Sequence, residues 1–260
     1  MQNGNTGLSY RTERANQRCN TMQLSGPEIL RRLQIPNPNN PDGHPDIVIK
    51  PFDERCLGSN SYDVHLSDTL RVYKKTIPAG MRPAIPYNKD KQYSMRDWFI
   101  TSHAYQRYLW TPGDFDPRNP QFLINPCMDG FHDVMEIKIP DTGLILSPLV
   151  GYLGDTVEYT ETYNLFPYID GKSSVGRNFI LVHYTAGRGD DGFRGTWTLE
   201  ISTKYPTVVY PNMRIGQLYY EEFKGDRKPY HVNQSSHYDG QRGPRPAAPI
   251  PIDNFIAKTR

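Results

Sequence analysis

Residues 171–177 read GKSSVGR, and their types can do chemistry. Gly171 permits close backbone approach, Ser173 and Ser174 offer hydroxyls, and Lys172 and Arg177 offer cationic donors, a set able to hold a polyphosphate through amides and charge. The spacing is not that of a P-loop, because Gly-x-x-x-x-Gly-Lys-Ser/Thr is absent, and Gly and Ser also make ordinary turns. Further along, TWTLEIS (196–202) carries a lone Glu200. Alternation puts Trp197, Leu199 and Ile201 on one strand face and Thr196, Thr198, Glu200 and Ser202 on the other. Glu200 is then either part of a solvated strand face or a base that takes a proton from water and returns it to a leaving group. Between the two, TAGRGDDGFRG (185–195) places Asp190 and Asp191 in a Gly-rich loop, where each carboxylate can accept from a sugar hydroxyl or cap a turn.

These groups need a scaffold, and the chain reads as mainly β. Its 260 residues are 37% hydrophobic and 12% aromatic, with 18 Tyr, 21 Gly and 23 Pro, which fits many short strands joined by turns. LSGPEILRRLQI (24–35) predicts one amphipathic helix capped by Ser25, and PNPNNPDGHP (36–45) a turn-rich loop. SNSYDVHLSDTLRVY (59–73) alternates, with Tyr62, Val64 and Leu66 on one face and Asp63 and His65 on the other. Residues 76–134 read as an insertion that forms a subdomain or covers an edge, with one helix over MRDWFITSHAYQRYLW. Strand-like segments follow in VMEIKIP, TGLILSPLVGYLGDTVEYT, RNFILVHYT and GTWTLEIS, and TVVYPNMRIGQLYYEEF predicts strand, turn, strand. The expected architecture is a barrel or distorted jelly roll. Residues 1–22 read as a polar extension, and residues 225–260 as a polar, Pro-rich tail, either disordered or ordered over a ligand.

The net charge of +2 argues against a nucleic-acid or membrane surface, and any anionic ligand is expected to be small and locally bound. Cys19, Cys56 and Cys127 are too far apart for a disulfide framework or a zinc cluster. No apolar leader or spanning segment is visible, so a cytoplasmic location is expected.

Taken in order, GKSSVGR, HYTAGRGDDGFRG, TWTLEIS and PNMRIGQLYY closely resemble the dCTP deaminase family of the trimeric dUTPase-like superfamily. The likeness extends back to LSGPEILRRL and SNSYDVHL and forward to PYHVNQSSHYDGQRGPRP. It implies a dUTPase-like fold over 23–260, a homotrimer with sites at subunit interfaces, dCTP or dUTP as ligand, and Mg²⁺ carried on the triphosphate. It also implies deamination without zinc, consistent with the missing His-x-Glu and Pro-Cys-x-x-Cys signature. Glu200 matches the family's general base, Ser173 a residue that aligns water and amine, Arg177 one that holds the charge state of the site, and Ala186 a backbone carbonyl that orients the water. Lys172, Ser174, Val175 and Gly176 match its phosphate loop, Asp190 its sugar contact, and Thr198 and Leu199 its backbone contacts to the base. Tyr230 and Gln241 match residues that close over the triphosphate, and His237 stands where a phosphate-meeting Lys is usual. Gly189 departs from a usual branched apolar residue, and Asp191 from a usual Pro or Ala.

The expected reaction is hydrolysis of dCTP to dUTP and ammonia. Gly187 resembles members that go on to release dUMP and pyrophosphate, whereas Arg188 resembles those that stop at dUTP, and Arg188 decides the expectation. A dUTPase that never deaminates, or a non-catalytic nucleotide-binding trimer, would leave Glu200 without a purpose.

Overall fold

The computed structural model describes residues 22–110, 133–222, 224–232 and 236–249. The expectations for residues 1–21, Cys19, Cys127, residues 111–132 within the insertion and the end of the tail lie outside the described residues. The fold is mainly β, with fourteen strands in four antiparallel sheets and few short helices among the described residues.

Helix α1 (Gly26–Gln34) forms as its sequence predicts: Pro27 stands in the first turn and the Ser25 hydroxyl accepts from the Glu28 N–H. Ile29 is fully buried, and Gly26 is required by close approach, since a Cβ there would lie 2.0 Å from the Gly58 carbonyl oxygen. Strands β1 (Ile47–Lys50), β2 (Tyr62–His65), β3 (Thr69–Tyr73) and β4 (Ala84–Pro86) follow. After helix α2 (Ser102–Trp110) come β5 (Val134–Lys138), β6 (Leu144–Leu146), β7 (Tyr152–Asp155), β8 (Tyr159–Thr162) and β9 (Phe166–Gly171). A one-turn helix α3 (Ser173–Gly176) leads to β10 (Ile180–Leu181), β11 (Arg194–Gly195), β12 (Thr198–Thr203), β13 (Thr207–Val209) and β14 (Arg214–Glu221). The sheets have orders β1-β8-β11, β10-β12-β7-β3-β5, β13-β6-β4 and β2-β14-β9.

The core joins the inward faces of all four sheets through Ile47, Val64, Leu70, Leu146, Leu199, Ile201, Ile215 and Leu218. Burying each such aliphatic side chain contributes about 1.5–3 kcal/mol before conformational entropy is subtracted. The faces read from alternation hold: Tyr62, Val64 and Leu66 are fully buried, as are Leu199 and Ile201 on β12.

Several elements differ from expectation. The helix over 95–110 is broken into a 3₁₀ turn, Met95–Trp98, and α2. Residues 98–100 instead pair with 80–82, where the Arg82 N–H donates to the Trp98 carbonyl and the Ile100 N–H to the Gly80 carbonyl. The described part of 76–134 thus enters the core through Met81, Ile85, Trp98 and Phe99, and β4 is an edge strand beside β6. RNFILVHYT yields only the two paired residues of β10, because Phe179 takes a φ of 57° and the Tyr184 N–H goes to the Glu200 carboxylate. Strands β1 and β9 were not anticipated, the first being a short continuous apolar run and the second containing Pro167. Pro167 is tolerated because β9 is an edge strand.

Candidate active site

Glu200 lies on β12, the second strand of the five-stranded sheet, directly across from Leu153 on β7, which in turn pairs with Arg71 on β3. That register puts Arg71, Leu153 and Glu200 in one row on the face opposite the Leu199 and Ile201 core contacts. Glu200 is half-buried, and its Oε2 accepts the Tyr184 backbone N–H at 3.0 Å. Among the described residues its Oε1 accepts nothing, so a carboxylate oxygen is presented by a rigid strand and held by a loop amide. Thr198 is half-buried on the same face and Leu199 points into the core.

The tail lies across this face. Gln241 is buried, donating its side-chain amide to the Thr196 carbonyl at 2.6 Å, and its own carbonyl accepts the Thr196 N–H at 3.0 Å. Arg194 and Asp239 form an ion pair at 2.5 Å, the Arg245 N–H donates to the Thr198 hydroxyl, and the Ala247 N–H donates to the Tyr73 hydroxyl. Asp155, on β7 beside Thr198, accepts from the Ser67 hydroxyl and from the Gly243 backbone. Burial pushes the Asp155 carboxyl above the usual range, and those hydrogen bonds only partly offset it. Sequence reading missed as anchors of the tail Asp155, Tyr73 and Arg71, whose Nη1 donates to the Pro244 carbonyl at 3.0 Å; the one available signal was a lone acid inside the otherwise apolar β7 run. His237 is exposed against the ring edge of Tyr238, and Tyr230 packs on Phe193 while its hydroxyl accepts the Tyr238 N–H.

The phosphate-loop candidates occupy a different sheet. α3 continues β9 at the end of the β2-β14-β9 sheet, with Val175 buried and Ser173, Ser174, Gly176 and Arg177 exposed. The Val175 and Gly176 N–H groups donate to the Lys172 carbonyl at 2.9 Å, which leaves only the Ser173 and Ser174 N–H groups without an acceptor among the described residues. Lys172 is committed elsewhere: its ammonium donates to both oxygens of Asp63 at 2.6 and 2.8 Å, and Arg214 approaches the same carboxylate at 3.4 Å. Among the described residues no hydrogen bond or ion pair joins Ser173 or Arg177 to Glu200, so one chain does not assemble the three around a single point.

Loop 183–192 runs along the free edge of β9. The Ile169 N–H donates to the Gly187 carbonyl and the Gly189 N–H to the Pro167 carbonyl, while the Ala186 carbonyl accepts nothing among the described residues. A Cβ at Gly187 would lie 2.4 Å from the Ile169 carbonyl oxygen, and one at Gly189 would lie 2.3 Å from the Trp197 ring. The departure at Gly189 is therefore matched to Trp197, whose ring fills the space a branched side chain would take. Gly189→Val should lower stability by about 1–3 kcal/mol through overpacking, measurable as a lower urea midpoint; an unchanged midpoint would show that the ring moves freely. The two acids of the loop separate clearly: Asp190 is exposed, whereas Asp191 is buried and saturated by donors.

Arg188, on the same loop, is tied to β9. Its guanidinium donates to the Tyr168 hydroxyl through Nε at 3.0 Å and through Nη2, and it lies over the Tyr168 ring. Tyr168 stacks in turn on Tyr219 at 5.0 Å, so the cation is held against an aromatic pair on β9 and β14. An arginine read only as a letter carried the expectation of dUTP release, and the comparisons overturn that expectation. The chain is 34% identical to a "dCTP deaminase, dUMP-forming" of Leptospira biflexa over 226 residues, which are 87% of this chain and 95% of that protein. It is 33% identical to a protein of the same name from Clostridium beijerinckii over 226 residues, again 87% and 95% of the two chains. Among solved structures it resembles 2′-deoxycytidine 5′-triphosphate deaminase from Agrobacterium tumefaciens at 18% identity and a TM-score of 0.45, over 78% of this chain and 49% of that one. Among the described residues no helix is long and apolar enough to cross a membrane. A family profile described as dCTP deaminase-like matches residues 23–223, most of the ordered β scaffold and every strand in it. The chain belongs to the dCTP deaminase-like family.

Proposed function

We propose that the protein hydrolyses dCTP to dUMP, ammonia and diphosphate, consuming two waters. The observation that carries this reading is the dUMP-forming name shared by relatives that align over most of the chain. Glu200 supports the deamination half. It takes a proton from a water attacking C4 of cytosine, then returns protons to N3 and to the departing ammonia. Tyr184, through its backbone N–H, keeps the carboxylate oriented for that transfer. Ser173 and the Ala186 carbonyl align the water, and Asp190, the exposed acid of the loop, meets the deoxyribose. Thr198 and Leu199 offer backbone to the base edge.

Because Lys172 is neutralised by Asp63 and the Val175 and Gly176 N–H groups already donate to the Lys172 carbonyl, the triphosphate is met mainly by the amide and hydroxyl of Ser174, by Arg177, and by Tyr230 and Gln241 from the tail. His237 adds charge only when protonated. These groups are phosphate donors rather than metal ligands, and Mg²⁺ fits as an ion carried on the phosphates and water, without a protein cage. A homotrimer is part of the proposal: Ser173 and Arg177 make no contact with Glu200 within one chain, and a neighbouring copy would supply them. The cytoplasm is the proposed compartment for a free deoxynucleotide substrate.

The test is product analysis with purified protein, Mg²⁺ and dCTP. Equal amounts of ammonia, dUMP and diphosphate are expected. Accumulation of dUTP as the end product would overturn the second step, and conversion of dUTP without release of ammonia from dCTP would overturn the first.

A further inference from the structure

Asp191 is 6% exposed, and three donors occupy its carboxylate. Oδ1 accepts the Asn164 backbone N–H at 2.8 Å and Arg227 Nη2 at 3.1 Å, while Oδ2 accepts Arg227 Nε at 2.9 Å. The two-pronged contact is the fork geometry in which arginine binds carboxylates most specifically. The Asp191 carbonyl also accepts the Tyr230 N–H at 2.6 Å. Beside it, Gly192 has a φ of 85°, and a Cβ there would meet His231 Nδ1 at 2.5 Å and the Pro229 Cβ at 3.0 Å. The first residues of the tail are therefore seated directly on the loop that carries Asp190.

We propose that Asp191 is a positioning residue: with Arg227 it clasps the root of the C-terminal segment to loop 186–192, so that Asp190 and Tyr230 form one pre-set unit for nucleotide binding. The proposal rests on the functional reading above, in which both residues contact the substrate. Holding them in place before substrate arrives removes an ordering cost from binding and leaves the chemical step at Glu200 untouched. The effect belongs in KM rather than in kcat.

The test uses the full chain with Asp191→Asn, Arg227→Gln and the double substitution. Each single variant should raise KM for dCTP about tenfold with kcat within about twofold, and the double variant should be no worse than either single, because the partners act as one unit. Arg227 is about one-third exposed, so its variant keeps the test open if Asp191→Asn folds poorly. A second readout needs no substrate: chymotryptic cleavage in the tail should speed up about tenfold in all three variants. Unchanged KM in both single variants, or effects that add in the double, overturns the proposal. If wild-type protein does not turn over dCTP, the functional reading fails instead, and the cleavage rates alone decide the clasp, unchanged rates overturning it.

Discussion

Glu200→Gln is expected to lower turnover of dCTP by at least about a hundredfold, within the usual contribution of a positioned general base, while leaving the fold intact. Gln keeps the length and shape of Glu, and its amide oxygen can still accept the Tyr184 N–H that now reaches Oε2. The neighbours Leu199 and Ile201 face the opposite side of β12 and are fully buried, so the substitution leaves the core unchanged. What is lost is proton-accepting power at the open carboxylate oxygen. Steady-state kinetics with dCTP read the loss, and circular dichroism with a urea titration checks that the variant is folded. Turnover close to wild type would refute the role of Glu200. Substrate affinity should change little, because Glu200 acts in the transition state rather than on the phosphates.

Much of this was legible in the sequence, and what was not has identifiable causes. The strand faces of 62–66 and 197–201 follow from period-two alternation, and the α1 start from Ser25 and Pro27. Asp63 was placed correctly off the apolar face, but alternation could not reveal that Lys172, far along the chain, would neutralise it. Arg188 misled because a single residue type at a motif position does not fix a product, and the dUMP-forming relatives overturn that reading; nor could the letter reveal that its side chain would be held by Tyr168. Asp190 and Asp191 were indistinguishable as neighbours in a loop. Only folding shows that one faces out while the other meets Arg227 and Asn164. The tail was the least legible segment, since its contacts are backbone hydrogen bonds to strands β11 and β12 and to side chains such as Tyr73, and no local pattern encodes those.

The same reasoning locates the largest stability effect away from the chemistry, at Asp46. Its carboxylate is buried and receives Arg32 Nη1 at 2.6 Å together with the side-chain amides of Asn37, Asn40 and Asn164 at 2.6–3.0 Å. Burial raises the cost of its charge, yet the hydrogen bonds from Asn37, Asn40, Arg32 and Asn164 prevail and hold the carboxyl below its ordinary value. Asp46→Ala strands these donors in a poorly solvated place and should cost about 3–5 kcal/mol at pH 7, the range for breaking a buried, hydrogen-bonded charge. A carboxylate with a lowered folded pKa contributes stability that is fully present above its unfolded pKa and is lost as pH falls through the folded one. The gap between wild type and Asp46→Ala should therefore be widest near neutrality and shrink steadily below about pH 4. Urea titrations at pH 7 and pH 3 measure it, and a gap that stays constant would show that the charge is not what stabilises the knot. The consequence reaches the site, because Asn164 links the two carboxylates: its side chain binds Asp46, and its backbone N–H, held at a φ of 62°, binds Asp191. Loosening Asp46 should thus weaken the support beneath loop 186–192 and raise KM for dCTP in the folded fraction, with the decisive loss still in stability.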